Sequence, residues 1–373
     1  MHAGCGNSRR SPTRDVIFMH GIAVKFASAA FALSSPLLMA AAGAPAYVPA
    51  GSPVTSIPQP EDLLTIPGTS WVIAGSMRTR ERPGHLYAFD ATAPAPAPRA
   101  LYPSASAASL NRARFGDCPG PLDDSRFTPH GIGLSRRADG SFELLVVNHG
   151  GRESIEAFDV TLGDEGPQAR WTGCIVLPAG ASGNGVVALP DGSIIVSKFL
   201  DKADPDFLDK MVNGQSTGNV LMWKPGKGWS NALKQDFSGA NGVAVSADGR
   251  WLFVAEWSAR KLWRFPLRDR SAPKSVAVDF LPDNLRLTDR GTILVAGQAG
   301  DPRGVMTCKG RGTPCPQGFK VVEMDPKSLR LRLLAQGGDQ RFGGATGATL
   351  AGPALWIGAY YGETIARYAP TPR

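Results

Sequence analysis

Beyond residue 57 the chain is written in short apolar runs separated by Gly-containing polar breaks, and few stretches long enough for a helix carry a 3.6-residue repeat. Two apolar runs flank one tight turn in LLTIPGTSWVIAGS (63–76), IGLSRRADGSFELLVVNH (132–149) and VVALPDGSIIVSK (186–198). The arrangement returns in VAVSADGRWLFVAE (243–256), LRLTDRGTILVAG (285–297) and ATLAGPALWIGAYYG (348–362). The pattern predicts six β-hairpins with Gly68, Gly140, Gly192, Gly249, Gly291 and Gly352 at their turns. A third apolar run follows several of them, as in SIEAF (154–158), NVLMW (219–223) and KLWRF (261–265).

The turn glycines stand 72, 52, 57, 42 and 61 residues apart. That spacing is irregular, but the intervals are all of the size of a four-stranded sheet unit. Sheets of this size close radially, so that each blade is buried on both faces and little edge is left exposed. The expected architecture is all-β, a six-bladed β-propeller over residues 47–373. A β-solenoid would need shorter and more regular repeats.

Residues 1–46 stand apart. Arg9, Arg10, Arg14 and Lys25 precede an apolar stretch, Phe26 to Ala42, that ends in small residues around Ala44-Pro45-Ala46. This is the layout of a secretory signal with an A-x-A cleavage site. Ser34, Ser35 and Pro36 interrupt the stretch, which falls short of the roughly 20 apolar residues a membrane-spanning helix needs. The expectation is export to the periplasm or beyond, with no stable membrane span once the signal is removed.

Removal of the signal takes four basic residues and Asp15, which lowers the formal charge from +8 to +5. The remaining cations are scattered, as in Arg136-Arg137, Arg260-Lys261 and Arg330 with Arg332, with no basic stripe of interleaved aromatics. No nucleic-acid partner is expected. Cys118, Cys174, Cys308 and Cys315 remain, an even count suited to an oxidising compartment. The short loop CKGRGTPC favours Cys308–Cys315, which leaves Cys118–Cys174. No C-x-x-C spacing points to a thiolate metal site.

In a propeller the innermost strands run the same way along the central channel, so their first residues meet at one mouth. Those residues are Glu61-Asp62, His130-Gly131, Asn184-Gly185, Asn241-Gly242, Asp283-Asn284 and Thr346-Gly347. One Asn-Gly ahead of a strand is ordinary turn chemistry. Carboxylates or amides at most of six equivalent positions describe a ring of oxygen donors about an axis. Hard oxygen donors select calcium or magnesium over zinc or copper. Glu61, Asn184, Asn241, Asp283 and Asn284 supply two carboxylates and three amides, enough to neutralise one divalent cation. Donors spread over several blades suit the tolerant geometry of calcium, so a central calcium site is expected. A hydrogen-bonded axial plug of side chains and water is the alternative.

Histidine adds chemistry at the same mouth. With a two-residue turn at Asp139-Gly140, paired positions in the second hairpin sum to 279, as His130 and His149 do. Without a bulge the two rings face one another. A cation there polarises a carbonyl and stabilises the oxyanion formed when water adds to it, while one histidine takes the proton and the other orients or relays it. Ester or lactone hydrolysis fits, with a small-molecule substrate. No G-x-S-x-G nucleophile motif is present.

The block ANGVAVSADGRWLFVAEW (240–257) resembles the six-bladed calcium propellers that include the SMP-30/gluconolactonases, strictosidine synthase-like proteins and paraoxonases. PHGIG (129–133), LLVVNHGGRESIEAF (144–158) and PEDLLTIPGTSWVIAGS (60–76) lean toward the paraoxonase/arylesterase branch. The resemblance runs over roughly residues 57–300 and fades in the sixth blade. It implies calcium ligation by Glu61, Asn184, Asn241, Asp283 and Asn284, with His130 as proton acceptor and His149 as its partner. It also implies lactonase activity with aryl-ester hydrolysis as a side reaction.

Two departures stand out. Paraoxonases hold a second, structural calcium, and Gly185 occupies the place of one of its acidic ligands although Asp62 keeps the other. The cysteine arrangement gives no support to a disulfide between the first and last blades. A gluconolactonase-like sugar-lactone hydrolase, which would not need the histidine pair, and a non-catalytic ligand-binding propeller with a structural cation are the competing functions. The segment 199–218 is read either as a lid over the mouth or as a plain surface helix.

Overall fold

A computed structural model describes residues 45–372 apart from 105, 107, 309–315 and 340. Residues 1–44, which carry the expected signal, lie outside the described residues. Among the described residues the strands form six small antiparallel sheets, arranged as a six-bladed β-propeller. The inner strands of blades one to six are Pro60–Thr65, Pro129–Arg136, Ala181–Ala188, Ala240–Val245, Leu281–Leu287 and Ala345–Ala351. Each inner strand touches those of the two neighbouring blades, and blade six returns to blade one.

All six turn glycines adopt positive φ, from 56° at Gly352 to 87° at Gly140, a region in which side chains other than glycine are strained. The third runs are the third strands of their blades: Ser154–Gly163, Asn219–Lys224 and Lys261–Pro266. The core lies between successive blades. Leu63, Val72 and Phe89 of blade one meet Trp356 and Ile365 of blade six, with Phe89 edge-on to Trp356 at 5.0 Å between ring centroids. Ile195 and Val220 of blade three meet Val243 and Leu252 of blade four in the same way. Burial on both faces explains why FELLVVN (142–148) is a nearly unbroken apolar run and every residue in it is buried.

Ring closure was not legible in the sequence. Tyr47–Pro49 pairs antiparallel with Thr364–Pro370 as the outermost strand of blade six, and Val54–Thr55 pairs with the same strand. The two ends of the propeller are thus stitched by backbone hydrogen bonds. Cys118 and Cys174 form a disulfide with a Cα–Cα distance of 5.1 Å. Cys308 is disulfide-bonded as well, while its expected partner Cys315 lies outside the described residues. Among the described residues no helix is long and apolar enough to cross a membrane.

Candidate functional site

In all six blades the inner strand breaks register at the residues expected to ring the axis. The shifts fall between Pro60 and Asp62, Pro129 and Ile132, Gly183 and Val186, Ala240 and Val243, Pro282 and Leu285, and Ala345 and Gly347. A bulge takes a residue out of the ladder and re-aims its side chain, here toward the axis. The glycine that follows has a separate cause. A Cβ at Gly131 would lie 2.1 Å from the Asn184 carbonyl oxygen, and one at Gly242 would lie 2.4 Å from that of Asp283. The inner strands converge so tightly at the mouth that only glycine lets one blade's backbone pass the next.

Glu61, Asn184, Asn241 and Asp283 are brought together around one cavity of about 380 Å³, which His130 and His149 also line. Each of these four donors keeps one buried oxygen without a hydrogen-bond partner: Glu61 Oε2, Asn184 Oδ1, Asn241 Oδ1 and Asp283 Oδ1. Among the described residues only one other buried side-chain oxygen, that of Asn219, is in that condition. Leaving a buried acceptor unpaired costs roughly 1–3 kcal/mol each, so four around one cavity form a cradle that could hold a cation. Asn284 takes a different part, since its Nδ2 donates to Glu61 Oε1 at 2.9 Å.

No group of three or more His, Cys, Asp or Glu is placed to hold a metal among the described residues. The cradle depends instead on mixing two carboxylates with amides. Its carboxylates sit uneasily without a countercharge. Burial, followed by the Asp283 and Asp62 charges, pushes Glu61 well above the usual carboxylate range. Burial likewise raises Asp283 to about 7, against the pull of the Gln298 and Asn241 amides. A divalent cation would relieve both.

Gln298, which sequence reasoning missed, holds this carboxylate in place. Its Nε2 donates to Asp283 Oδ2 at 2.7 Å and to the Ala345 carbonyl at 3.0 Å, while its Oε1 accepts from Trp257 Nε1 at 2.8 Å. Its one signal in the sequence is a carboxamide at the close of an apolar run, ILVAGQA (293–299).

Asp62 faces away from this cradle. Its two oxygens accept from Arg286 Nη2 at 2.9 and 2.8 Å, from Leu63 N at 2.9 Å and from Ile132 N at 2.9 Å. Arg286 Nη1 also donates to the Ile132 carbonyl at 3.0 Å, so one guanidinium joins the inner strands of blades five, one and two. At Gly185 a Cβ would lie 2.8 Å from Val243 N, so no acidic side chain fits there. Among the described residues, Gly185 thus offers no donor for a second internal cation, and Arg286 supplies the positive charge beside Asp62.

The two histidines meet by another route than expected. Blade two pairs with an index sum of 278 along the hairpin and shifts at the bulge, so Pro129 faces Asn148 and the two histidines are not register partners. His149 follows the second strand, and its Nε2 lies 3.0 Å from His130 Nδ1. His130 Nε2 is 3.4 Å from Glu61 Oε1, at the edge of the cradle. On the far side, His149 Nδ1 is 3.0 Å from both oxygens of Glu153, a residue the sequence had not singled out.

Part of the cavity wall is apolar, built from Phe199, Leu200, Trp257, Val305, Met306 and Tyr360, which pack as one cluster. Part of the segment 199–218 belongs to it. Helix α1 (Phe207–Val212) buries Met211 and contacts helix α2 (Pro302–Met306), to which it is tied by the Asp209–Arg303 ion pair. His85 lies elsewhere, stacked on Tyr87.

A model of the SMP-30/gluconolactonase/LRE-like region matches residues 144–312. The SMP-30/gluconolactonase/paraoxonase-like superfamily is thereby supported. Over 143 residues the chain is 32% identical to serum paraoxonase/arylesterase 1 of Mus musculus, covering 38% of this chain and 39% of that protein. The chain thus spans about two fifths of that relative's length. It is 21% identical over 260 residues to serum paraoxonase/lactonase 3 of Homo sapiens, covering 68% of this chain and 72% of the relative. Among solved structures, a calcium-binding regucalcin of Agrobacterium tumefaciens superposes with a TM-score of 0.50 at 13% identity, covering 87% of this chain and 96% of the other. That last likeness concerns the fold alone.

Proposed function

We propose that this protein is an exported, calcium-dependent hydrolase of lactones, with aryl esters as secondary substrates. The observation that carries the proposal is the convergence of four orphaned buried oxygens beside a hydrogen-bonded histidine pair in one cavity. Glu61, Asn184, Asn241 and Asp283 would hold the calcium, with Asn284 bracing Glu61. When bound, it would supply the positive charge that offsets the two carboxylates and polarises the substrate carbonyl. Names of relatives that include an arylesterase and a lactonase support the reaction class.

The chain's own residues account for the proton. An ionised Glu153 accepts from His149 Nδ1–H, which leaves His149 Nε2 as an acceptor. His130 Nδ1 then donates to it, and the lone pair on His130 Nε2 faces the cavity. That nitrogen takes a proton from water as its oxygen bonds to the carbonyl carbon. When the ring C–O bond breaks, the departing alkoxide recovers the proton, leaving a hydroxy acid. The bulged inner strands keep both groups on a rigid scaffold, so geometry rather than loop closure positions them.

The apolar wall favours substrates with an alkyl or aryl substituent over polyhydroxylated sugar lactones, because buried hydroxyls would find few partners there. The Cys118–Cys174 disulfide supports an oxidising compartment and agrees with a signal over residues 1–46 and a mature propeller over 47–373. A panel of alkyl-substituted γ- and δ-lactones, phenyl acetate and glucono-δ-lactone tests the proposal. It predicts calcium-dependent acid release that is fastest on the alkyl lactones. Turnover confined to the sugar lactone, or none with calcium bound, would contradict it.

A further inference from the structure

Glu153 is placed as no ordinary surface carboxylate is. It lies in the loop after the second strand of blade two, largely buried, with both oxygens 3.0 Å from His149 Nδ1. Its outer side meets Lys202, which follows the second strand of blade three. The neighbouring charges are otherwise engaged: Arg152 pairs with Glu156 at 2.9 Å, and Lys198 with Asp201 at 2.8 Å. Burial pushes the Glu153 carboxyl up, but the His149 ring and the Lys202 ammonium outweigh it and hold the group below its ordinary range. It therefore stands ionised beside a ring nitrogen, where it can only accept a hydrogen bond.

An imidazole with a carboxylate on one nitrogen is fixed in one tautomer and one orientation. The order along this chain of contacts is Glu153, His149, His130 and Glu61, with successive separations of 3.0, 3.0 and 3.4 Å. Only one assignment of neutral rings satisfies the first two contacts. Reversing His149 would set an unprotonated nitrogen 3.0 Å from both oxygens of Glu153, a closer conflict than the 3.4 Å that the first assignment leaves between His130 Nε2 and Glu61 Oε1.

We propose that Glu153 is the positioning residue of the histidine pair: it fixes His149 as the Nδ1–H tautomer and so leaves His130 Nε2 as the proton acceptor facing the ring. The second half of that statement rests on the hydrolytic role proposed above, and the first half does not. Lys202, two residues after the wall residue Leu200, pairs with the outer side of that carboxylate, which ties the placement of Glu153 to that segment.

Residues 47–373 contain only three histidines, His85, His130 and His149, so the test is spectroscopically simple. Long-range proton–nitrogen spectra of the calcium-loaded protein labelled at histidine, taken at mildly alkaline pH, should show His149 protonated at Nδ1. Glu153→Leu should convert it to a tautomer mixture and lower kcat on a lactone on the order of 10–100-fold, with KM and calcium affinity held. Glu153→Gln, which keeps an acceptor without the charge, should restore the tautomer and part of the rate. An Nε2–H tautomer in the parent overturns the proposal. So does a Glu153→Leu protein that melts earlier but keeps both its tautomer and its kcat, and if that variant does not fold, the parent spectrum and Glu153→Gln still decide. Full turnover by His130→Gln would instead sink the hydrolytic role and leave the spectrum to judge Glu153.

Discussion

His149 Nε2 lies 3.0 Å from His130 Nδ1 although the two residues are not partners in the register of their hairpin. The bulge at the foot of the inner strand makes the contact, because it turns His130 toward the axis just where His149 leaves the second strand. If this pair moves the proton, His130→Gln should cut lactone turnover on the order of 100-fold or more, the usual contribution of a general base. Calcium binding, followed by calorimetry, should persist in the variant.

Asn241 and Asp283 hold two of the four orphaned oxygens and come from adjacent blades. Asn241→Ala or Asp283→Ala should abolish both calcium uptake and hydrolysis. The change should also erase the rise in melting temperature on adding calcium, which for a ligand at 100 times its Kd corresponds to about 2.7 kcal/mol. A variant that still binds calcium tightly would remove that residue from the ring.

Asp283 titrates near 7 in the folded chain, above its ordinary value of 3.8, chiefly because it is buried. The folded state therefore holds this proton more tightly than the unfolded state does. The contribution to stability is full at low pH and is lost as pH rises through about 7. Glu61, also raised by burial, acts in the same direction. Chelated protein should accordingly melt at lower temperature as pH goes from about 4 to above 7, whereas calcium should remove the decline. Calcium affinity should rise over the same window, because binding must displace those protons. Melting curves with and without chelator would check both statements.

Much of this was open to inspection in the residues. Six glycines at positive φ announced six hairpins, and the polar residue opening each inner strand announced the ring. The bulges were not legible, because a bulge adds an unpaired residue without any change in composition, and they displaced the pairing arithmetic for the histidines. The closing strand Tyr47–Pro49 was hidden by its brevity and by partners more than 300 residues away. Glu153 was overlooked because a carboxylate four residues after a histidine is informative on a helix, and this pair lies in a Gly-Gly loop. Nothing in the sequence singled out Arg286. Its target, Asp62, belongs to a blade that only closure of the ring brings near.

That ion pair carries its own expectation. Arg286→Met leaves the buried Asp62 carboxylate without its guanidinium and should destabilise the fold by about 3 kcal/mol, the lower end for breaking a buried pair. Asp62→Asn in the same chain should recover part of the loss. Because Arg286 stands beside Asp62 and Gly185 admits no side chain, calcium should bind with a stoichiometry of one per chain.

The central claim is that the axial oxygens hold a calcium ion on which hydrolysis depends. The most direct test follows acid release from one alkyl δ-lactone by the purified propeller, first stripped with chelator and then titrated with calcium. The account predicts no turnover in the stripped protein and full recovery at one equivalent bound. Hydrolysis that continues undiminished after complete removal of calcium would contradict it.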